Sequence, residues 1–414
     1  MFKRVPGTRD ILPDQIKQWQ KIEQVSRRVF SLYNYLEIRP PLIEESSLYQ
    51  RSLGDATEIV QKQMFLIQKG EDSYALRPEG TASIVRAYIE NNLDKTGNLF
   101  KSYYMGPMFR MERPQKGRYR QFHHIGCEVI GSRSPELDVE IIALADQLLC
   151  SYPVKGYSIV INSLGCADDK KRLTAQLREK LQNSLSDLCD DCKVRFEQNV
   201  LRILDCKNEK CKEIVQKLEM RDGHLCDPCR GHFETVKAGL ASLNVKFEVS
   251  SNLVRGLDYY TGTVFEIKHD NLGPQQDALG AGGRYDNLVS ELGGPQTGAI
   301  GFAFGVERLI LASESPLTDA EPEKLVYLIS LGDTAKKQGV IVLNTLRNAG
   351  IPADTDYEGK SLKGAMRKAN DLKAPFTLIL GDNELQKNTI VVKNMGNGEQ
   401  KEISMTDLVK YLSA

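Results

Sequence analysis

The amino-acid sequence predicts an α+β protein with several domains, and three observations lead to this fold class. Residues 14–36 repeat apolar side chains every three or four positions, which is the spacing of one helix face. Residues 101–109 and 121–131 are strand-like segments joined by a glycine-containing loop. The last part of the chain, 325–414, alternates between strand and helix patterns, as a small α/β domain does. The length of 414 residues also exceeds that of one ordinary core.

In the first part of the chain, helix and strand patterns are separated by turns that contain proline and glycine. The first helix is followed by an extended segment that contains Pro41. The turn 77–83 precedes the next helix, and Thr81 is a candidate cap for it. The later helix patterns of this part cover residues 82–92 and 135–150.

Residues 165–245 differ from their surroundings, because they are charge-rich, helical in pattern and rich in cysteine. We interpret this stretch as an insertion, which holds seven of the nine cysteines: Cys166, Cys189, Cys192, Cys206, Cys211, Cys226 and Cys229. Glycine-rich strand patterns return at 247–268, 278–292 and 298–311. A polar linker then leads to predicted strands at 325–331, 351–355, 375–380 and 389–393 and helices at 334–349 and 361–372.

The composition is that of a globular protein, with 41% hydrophobic and 27% charged residues. We expect no membrane span and no signal peptide, and therefore a cytoplasmic protein with reduced thiols. Lysine plus arginine equals aspartate plus glutamate at 55 each, so bulk charge does not indicate a nucleic-acid binder. Residues 101–120, however, carry six basic side chains and one acidic one, Glu112. That segment is either a site for a polyanion or a solvated basic loop.

Three glycine-bearing segments combine residue types that suit a ligand pocket. Arg255-Gly-Leu-Asp-Tyr-Tyr-Thr-Gly and Gly280-Ala-Gly-Gly-Arg-Tyr-Asp place glycines beside arginine and tyrosine. The third, Gly305-Val-Glu-Arg308, opens a helix after an apolar strand, where an arginine could contact a phosphate or a base. Taken singly, a glycine run is more often a tight turn and a tyrosine pair more often part of a core.

Together and in this order, these segments resemble the histidyl-tRNA synthetases, a family of class II aminoacyl-tRNA synthetases, along nearly the whole chain outside the insertion. Pro41 lies where the class has the proline of its first motif, at the dimer interface. The segment from Phe109 to Phe122 resembles the second motif, and Gly301-Phe-Ala-Phe-Gly-Val-Glu-Arg-Leu309 the third. The Arg255 segment and Gly282-Gly-Arg-Tyr-Asp286 resemble the two motifs specific for histidine.

The resemblance implies a fold and a domain order. The fold is an antiparallel sheet flanked by helices, with a helical insertion and a C-terminal α/β anticodon-binding domain. The expected catalytic core comprises residues 1–164 and 246–320, the insertion 165–245 and the anticodon-binding domain 325–414. A homodimer is also implied.

The resemblance implies a histidine–tRNA ligase that activates L-histidine with ATP and transfers it to tRNA(His). Arg110 would hold the α-phosphate and the attacking carboxylate, and Arg255 would stabilise charge at the α-phosphorus as the second catalytic residue. Phe122 and Arg308 would hold adenine between them, and Arg118 would reach the γ-phosphate. Mg²⁺ should accompany ATP.

The residues that resemble the histidine-binding set are Glu79, Thr81, His124, Glu128, Arg255, Tyr259 and Tyr260. Glu128 and Tyr260 would bond the two ring nitrogens, and a site that pairs both rejects analogues lacking them by roughly 10⁴ or more. Glu79 and Thr81 would bind the α-ammonium, with Tyr259 lining the pocket. The residues alone favour a helix N-terminal acid for Glu79 and an exposed strand carboxylate for Glu128, and only the motif match favours the binding roles.

His124 departs from the family, whose members usually have glutamine there to help bind the α-ammonium. A neutral imidazole can accept the same hydrogen bond, whereas an imidazolium cannot. We therefore hypothesise weaker histidine binding as the pH falls toward about 6.5. The adjacent His123 is predicted to be a packed strand residue.

The resemblance also implies contacts to tRNA. Gln115 would read the extra 5′ guanosine of this tRNA, while Arg113 and Lys116 would position phosphates. In the C-terminal domain, the basic patch Lys360, Lys363, Arg367 and Lys368 either contacts RNA or is a solvated helix face.

The cysteines raise the question of a metal. Cys189-x₂-Cys192 and Cys226-x₂-Cys229 have the spacing of zinc ligands, and His224 and His232 flank the second pair. The two pairs are far apart in the chain, and such pairs also occur by chance in a cysteine-rich segment. We expect reduced thiols and no metal held by the protein.

Two other functions compete with the ligase. One is a non-catalytic, synthetase-like regulatory subunit of ATP phosphoribosyltransferase, in the first step of histidine biosynthesis. Such relatives usually lack the C-terminal domain and several motif residues, whereas this chain has both. The other is a class II synthetase for proline or threonine, which the Arg255 motif argues against.

Overall fold

The structure is a computed structural model that describes residues 2–54, 57–97, 99–115, 117–218, 222–273, 277–315 and 325–413. The chain divides into two units, Met1–Thr318 and Asp319–Ala414. Among the described residues, no helix is both long and apolar enough to cross a membrane.

The first unit combines strands and helices along its length. Its strands are β1 (Leu36–Glu37), β2 (Ile43–Glu45), β3 (Phe65–Lys69), β4 (Asp72–Leu76), β5 (Phe100–Phe109), β6 (Gln121–Ile130), β7 (Tyr157–Ser163), β8 (Glu248–Val249), β9 (Thr261–His269), β10 (Ala278–Arg284) and β11 (Ala299–Gly305). Its helices are α1 (Pro13–Leu32), α2 (Ser46–Leu53), α3 (Thr81–Glu90), α4 (Pro135–Ser151), α5 (Ala167–Leu181), α6 (Asp190–Gln198), α7 (Glu209–Gln216), α8 (Asp227–Ser242), α9 (Leu288–Glu291) and α10 (Val306–Ala312).

The centre of this unit is a sheet in which the described residues form eight strands, in the order β1-β5-β6-β11-β10-β9-β7-β8. Its inner neighbours are antiparallel, and the short edge strands β1 and β8 are parallel to β5 and β7. Because strand side chains alternate between the two faces, one face carries Ile125, Cys127 and Phe302, which pack in a core with α1, α4 and α8. The predicted antiparallel sheet flanked by helices is therefore confirmed.

The opposite face of the same strands carries aromatic, polar and small residues. On β6 these are Phe122, His124 and Glu128, and on β11 they are Gly301 and Gly305. The pairing register places Glu128 opposite Gly301 and His124 opposite Gly305. This arrangement leaves room for a pocket above the middle of the sheet.

Three strands, β2, β4 and β3, pair antiparallel in that order as a separate small sheet among the described residues. The sequence patterns did not predict β3 and β4. The first helix also differs from its prediction, since it ends at Leu32 and Asn34 adopts a left-handed backbone conformation (φ 61°). Tyr35 fits the helical period but therefore lies beyond the helix.

The second unit has a five-stranded sheet, counted over its described residues, in the order β13-β12-β14-β15-β16. The strands are β12 (Val326–Ser330), β13 (Ala353–Thr355), β14 (Phe376–Leu380), β15 (Thr389–Asn394) and β16 (Gln400–Ser404). The helices are α11 (Asp333–Asn348), α12 (Leu362–Asp371), α13 (Asp382–Lys387) and α14 (Leu408–Leu412). Leu343 and Leu346 of α11 pack on one face, and Ala365 and Ala369 of α12 on the other. The predicted α/β alternation is thus observed; α13, β16 and α14 were not predicted.

Candidate active site

A pocket lies on the face of the large sheet that is opposite to α1 and α4. Small residues on β10 and β11 form its floor, which includes Ala281, Gly301, Ala303 and Gly305. Ten of the residues predicted for the site line it within the described part of the chain: Glu79, Thr81, Arg110, Arg118, Phe122, His124, Arg255, Tyr259, Tyr260 and Arg308. Residues from distant parts of the sequence therefore meet at one place.

Four arginines of the described chain line this pocket, and main-chain carbonyls hold two of them in place. Arg110 donates from Nε to the Pro78 carbonyl at 2.9 Å, and its guanidinium lies 5.4 Å from the centre of the Phe122 ring. Arg308 donates from Nη1 to the Ala278 carbonyl at 2.6 Å. Because a guanidinium has five N–H donors, each retains donors for an anionic ligand.

The positive charges in the pocket influence one another. Burial lowers the pKa of Arg308, and the neighbouring Arg118 and Arg110 lower it further. Glu112 lies between two of these cations, with Oε2 3.3 Å from Arg118 Nη1 and Oε1 3.9 Å from Arg110 Nη1. Mutual repulsion of this kind is relieved when an anion binds, so the pocket is built for a ligand with several negative charges.

Arg255 is oriented by a strand carboxylate. Its Nη1 lies 2.5 Å from Oε2 of Glu266 on β9, and its guanidinium lies 6.0 Å from the Tyr260 ring centre. Burial lowers the pKa of Arg255, but the ion pair with Glu266 outweighs burial and the pKa is raised. Glu266 lies four residues beyond the Arg255–Gly262 motif and was not among the predicted site residues.

Glu128 lies beneath the pocket floor, buried, rather than exposed on its strand. Its Oε1 accepts a hydrogen bond from Thr81 Oγ1 at 2.7 Å and a longer one from Tyr104 at 3.4 Å, and its Oε2 accepts one from the Tyr285 hydroxyl. Burial raises the pKa of Glu128 to about 8, although the hydrogen bonds from Tyr285 and Thr81 act in the opposite direction. The alternative of an exposed strand carboxylate is therefore wrong.

Gly301 is what allows Glu128 to take this position. A Cβ atom on Gly301 would lie only 1.8 Å from Glu128 Oε2, which is far inside van der Waals contact. The glycine of the third motif is thus a steric requirement of the carboxylate on the neighbouring strand.

Glu79 caps the helix that Thr81 was predicted to cap. Glu79 Oε2 accepts from the Thr81 N–H at 2.6 Å and Oε1 from the Ala82 N–H at 2.9 Å, at the start of α3. Thr81 is instead the first residue of the helix, and its hydroxyl points to Glu128. The capping prediction for Thr81 is wrong because a carboxylate two residues earlier satisfies those donors. Glu79 both caps the helix and lines the pocket.

His124 lines the pocket, and its buried Nδ1 has no hydrogen-bond partner among the described residues. Burial lowers the pKa of His124 well below its ordinary value, and Arg110, Arg308 and Arg77 lower it further. The ring is therefore neutral near pH 6.5, and the hypothesised loss of histidine binding at that pH shifts to more acidic values. His123 points to the other face of the sheet, where it packs edge-on against Trp19 and contacts Glu307.

Tyr259 and Tyr260 form a pair on the pocket wall, with ring centres 4.6 Å apart. Lys170 on α5 supports them from behind, since its Nζ donates to the main-chain carbonyls of Asp258 at 2.7 Å and Tyr260 at 3.2 Å. Tyr104 and Tyr285 also line the pocket, although neither was among the predicted site residues. Tyr285 could have been found from its place in the Gly282-Gly-Arg-Tyr motif, whose arginine, Arg284, is buried in an ion pair with Asp138.

The residues predicted to contact tRNA lie apart from this pocket or outside the described chain. Arg113 is exposed on the loop after β5. Gln115 pairs with Arg118 through their main chains, with N–O distances of 3.2 Å and 2.9 Å. Lys116 lies outside the described residues. In the second unit, the predicted basic patch is exposed on and just before α12: Lys360, Lys363, Arg367 and Lys368.

The two C-x₂-C pairs do not lie together, as the sequence spacing suggested, but belong to two separate groups. Cys189 and Cys192 lie with Cys206 and Cys211, whereas Cys226 and Cys229 lie with Cys166 and Asp169. In each group the ligand atoms are within 4.8 Å of one another. The two pairs therefore do not share one site, because the helices of the insertion carry them to different places. His224 and His232 are not part of either group, and they contact the Ser163 carbonyl and Asp138.

Comparison with protein families gives matches over both units. A family model described as histidyl-tRNA synthetase matches residues 7–309. A second model, described as an anticodon binding domain, matches residues 325–414.

Curated relatives match over the full length of the chain. A histidine–tRNA ligase of Desulforamulus reducens is 45% identical over 99% of this chain and 99% of its own. A histidine–tRNA ligase of Geobacter sulfurreducens is 42% identical over 98% of each chain.

Solved structures match as well. The apo histidyl-tRNA synthetase of S. aureus has a TM-score of 0.81 and 38% sequence identity, with 100% of each chain covered. A Bacillus halodurans protein, described as an ATP phosphoribosyltransferase regulatory subunit/histidyl-tRNA synthetase, has a TM-score of 0.65 at 21% identity. It covers 92% of this chain and 98% of its own, and at that identity it shares the fold.

Proposed function

We propose, from the premise that this chain belongs to the histidyl-tRNA synthetase family and is a histidine–tRNA ligase, that the pocket on the large sheet is where histidine and ATP react. The single observation that carries this proposal is the meeting of four arginines in one pocket, next to the buried, hydroxyl-bonded carboxylate of Glu128 under its floor. The arginines suit a polyphosphate, and the carboxylate suits a ligand with an N–H donor.

ATP would be held by the arginine side of this set. Arg110 would bind the α-phosphate and the histidine carboxylate, and Arg118 would reach the γ-phosphate. Phe122 and Arg308 would hold the adenine ring between them. Arg255, fixed by Glu266, would stabilise the charge that develops at the α-phosphorus, as preorganised donors do in enzymes.

Histidine would be bound by the carboxylate and tyrosine side of the set. Glu128 would accept a hydrogen bond from one ring nitrogen, and Tyr260 would bond the other. Glu79, Thr81 and the neutral His124 would receive the α-ammonium, with Tyr259 along the wall. The N–H groups on both oxygens of Glu79 leave each oxygen a second lone pair for that contact.

The reaction would proceed in two steps without a protein nucleophile. A carboxylate oxygen of histidine attacks the α-phosphorus of ATP, the bond to the β-phosphate oxygen breaks, and pyrophosphate leaves. The terminal ribose hydroxyl of tRNA(His) then attacks the acyl carbon, the bond from that carbon to the phosphate oxygen breaks, AMP leaves, and the hydroxyl proton is released to solvent. The protein would contribute positioning and charge stabilisation.

Mg²⁺ is expected with ATP, and the residues in the pocket fit it. The ion takes few protein carboxylates and several phosphate oxygens, and Glu112 offers carboxylate oxygens between Arg110 and Arg118. When bound, it would neutralise phosphate charge.

Partners and location follow from the same proposal. We expect Arg113, Gln115 and Lys116 to contact the acceptor end of tRNA(His), and the second unit to contact its anticodon. We expect a homodimer formed through the region of Pro41, and a cytoplasmic enzyme because translation uses tRNA and ATP there.

Histidine-dependent exchange of pyrophosphate into ATP tests the proposal, with proline and threonine as controls. Exchange with histidine alone, which falls about 10²-fold or more in Arg255→Lys, is the expected result. Folded protein that binds histidine but exchanges with none of the three would contradict the proposed site and favour a regulatory-subunit role.

A further inference from the structure

Four cysteines of the insertion lie together within the described chain, although they form two separate pairs in the sequence. The sulfur atoms of Cys189, Cys192, Cys206 and Cys211 are all within 4.8 Å of one another. Cys189 precedes α6 and Cys192 lies in its first turn, while Cys211 lies in the first turn of α7. Cys192, Cys206 and Cys211 are buried and Cys189 is half-buried.

The spacing of these sulfur atoms distinguishes between the kinds of bond they can form. Zinc binds thiolates at about 2.3 Å in a tetrahedron, which places neighbouring sulfurs about 3.8 Å apart. Cys189 Sγ and Cys206 Sγ are 3.8 Å apart. A disulfide would require about 2.05 Å, and an iron–sulfur cluster would hold its thiolates further apart because several irons lie between them. The geometry therefore fits a single small ion.

Main-chain N–H groups point at these sulfurs. The Cys189 N–H donates to Cys211 Sγ at 3.3 Å, and the Asn208 N–H donates to Cys206 Sγ at 3.5 Å. Donors of this kind stabilise the negative charge of a metal-bound thiolate.

We propose that Cys189, Cys192, Cys206 and Cys211 bind one zinc ion, in place of the reduced thiols expected from the sequence. The site is structural, because four thiolates complete the tetrahedron and leave no position for a substrate.

The zinc site would stabilise the part of the pocket wall that carries Tyr259 and Tyr260. Between its two cysteine pairs, Asn199 donates from Nδ2 to Asp258 Oδ1 at 2.8 Å, and Arg202 lies 4.0 Å from Glu58. Asp258 directly precedes Tyr259 and Tyr260, which line the pocket. An ion that ties α6 to α7 would hold Asn199 in position against this segment.

The second group, Cys166, Asp169, Cys226 and Cys229, provides a matched control. Its carboxylate is already engaged, since Asp169 forms an ion pair with Arg172 and accepts hydrogen bonds from the N–H groups of Cys166 at 3.3 Å and Cys226 at 3.2 Å. We assign no ion to this group. Its chemistry, three thiols and one carboxylate, also differs from that of the four-cysteine site.

The test is the zinc content of the full chain, purified without chelator and measured by elemental analysis. We expect the Cys189→Ser/Cys192→Ser variant to lose one equivalent of zinc per chain relative to wild type, and Cys226→Ser/Cys229→Ser to retain that equivalent. Wild-type protein without zinc would overturn the proposal. So would a Cys189→Ser/Cys192→Ser variant that keeps all of the wild-type zinc.

A second measurement on wild type avoids dependence on variants that fail to fold. Cobalt(II) substituted for zinc gives thiolate-to-metal absorption whose intensity grows with the number of thiolate ligands. We expect the intensity of four thiolates for the first equivalent. The intensity of three thiolates would place the ion at the Cys166 group and overturn the proposal.

Discussion

At Glu128, burial and hydrogen bonding act in opposite directions, and burial dominates. The carboxyl lies under the pocket floor beside Gly301, and each of its oxygens accepts a hydrogen bond from a hydroxyl group. Its pKa of about 8 means that the folded, ligand-free protein holds a proton there at neutral pH more readily than the unfolded chain does. The consequence is a measurable dependence of stability on pH.

We expect Glu128 to favour folding most at low pH and less as the pH rises. Between its ordinary pKa of 4.5 and about 8, the folded state binds more protons, so this contribution falls by up to about 1.4 kcal/mol per pH unit. The measurement is Tm of wild type minus Tm of Glu128→Gln, without ligands, from pH 5 to pH 8. The difference should become steadily less favourable to wild type, and a constant difference would contradict the raised pKa.

Gly301→Ala should destabilise the protein by about 1–3 kcal/mol or more, because its Cβ would collide with Glu128 Oε2. Gly305→Ala, on the same strand, is the matched control. Its φ of −84° suits alanine, and the nearest atom to its Cβ would be Arg308 Cδ at 3.6 Å. Thermal unfolding of both variants checks this, and equal Tm values would show that the floor is not close-packed.

His124→Gln should leave the pH dependence of histidine binding unchanged between about pH 6 and 8. Burial and the surrounding arginines keep the wild-type ring neutral throughout that range. The measurement is the ratio of histidine KM values of variant and wild type, since the substrate's own titration cancels in a ratio. A ratio that changes tenfold around pH 6.5 would restore the original hypothesis.

Among the elements, the small sheet presents apolar side chains outward. The pairing register puts Ile43, Phe65, Ile67 and Leu76 on one face, where Ile43 is 50% and Ile67 42% exposed. Arg77, next in the chain, donates to the Pro40 carbonyl at 3.0 Å and so anchors the segment that carries Pro41. This face supports the proposed dimer contact.

Ile43→Glu/Ile67→Glu should therefore convert the proposed dimer to monomers of 46.4 kDa at micromolar concentration. A buried, unpaired charge on each side of an interface costs several kcal/mol. Val340→Glu is the control, because Val340 is a 60% exposed residue of α11 outside the proposed interface. This variant should sediment with the same mass as the wild-type dimer. Analytical ultracentrifugation of wild type and the two variants measures their oligomeric states. If the Ile43→Glu/Ile67→Glu variant remained dimeric, the interface would lie elsewhere.

The elements that could be predicted from sequence are those with a strong period. α1, α4 and α11 repeat apolar residues over many positions, and their predicted bounds lie within four residues of the structure. The small sheet was not predicted because β3 and β4 are only five residues long. Strands of this length form because their side chains pack against the neighbouring strand, and that neighbour cannot be read from the local sequence.

The site residues were found from motifs, whereas their partners were not. Tyr104 reaches Glu128 through the pairing of β5 and β6, and Glu266 on β9 reaches Arg255 in the irregular segment before that strand. Neither contact follows from spacing along the chain. Likewise, Cys206 and Cys211 lie beside Cys189 and Cys192 through helix packing, which spacing along the chain does not encode.

At the scale of the whole molecule, the pocket belongs entirely to the first unit, and the second unit has its own core around Leu328, Leu343 and Leu378. Activation of histidine and recognition of tRNA should therefore be separable.

A protein comprising residues 1–318 should keep pyrophosphate exchange within about tenfold of the full chain. Its aminoacylation kcat/KM should fall by about 10²-fold, which corresponds to the loss of roughly 3 kcal/mol of RNA contact. Measuring both rates on the two proteins checks this. An equal loss of both activities would indicate that the first unit requires the second to fold or to act.

The close fit of Gly301 against Glu128 also limits how the enzyme can be re-engineered. A library that randomises only the pocket-lining tyrosines leaves the buried carboxylate in place, so every member keeps the group that we propose to pair with the histidine imidazole. Any larger residue at position 301 collides with that carboxylate unless position 128 changes simultaneously. Acceptance of a new amino acid would therefore require paired codon changes on two neighbouring strands, which single-site mutagenesis does not sample.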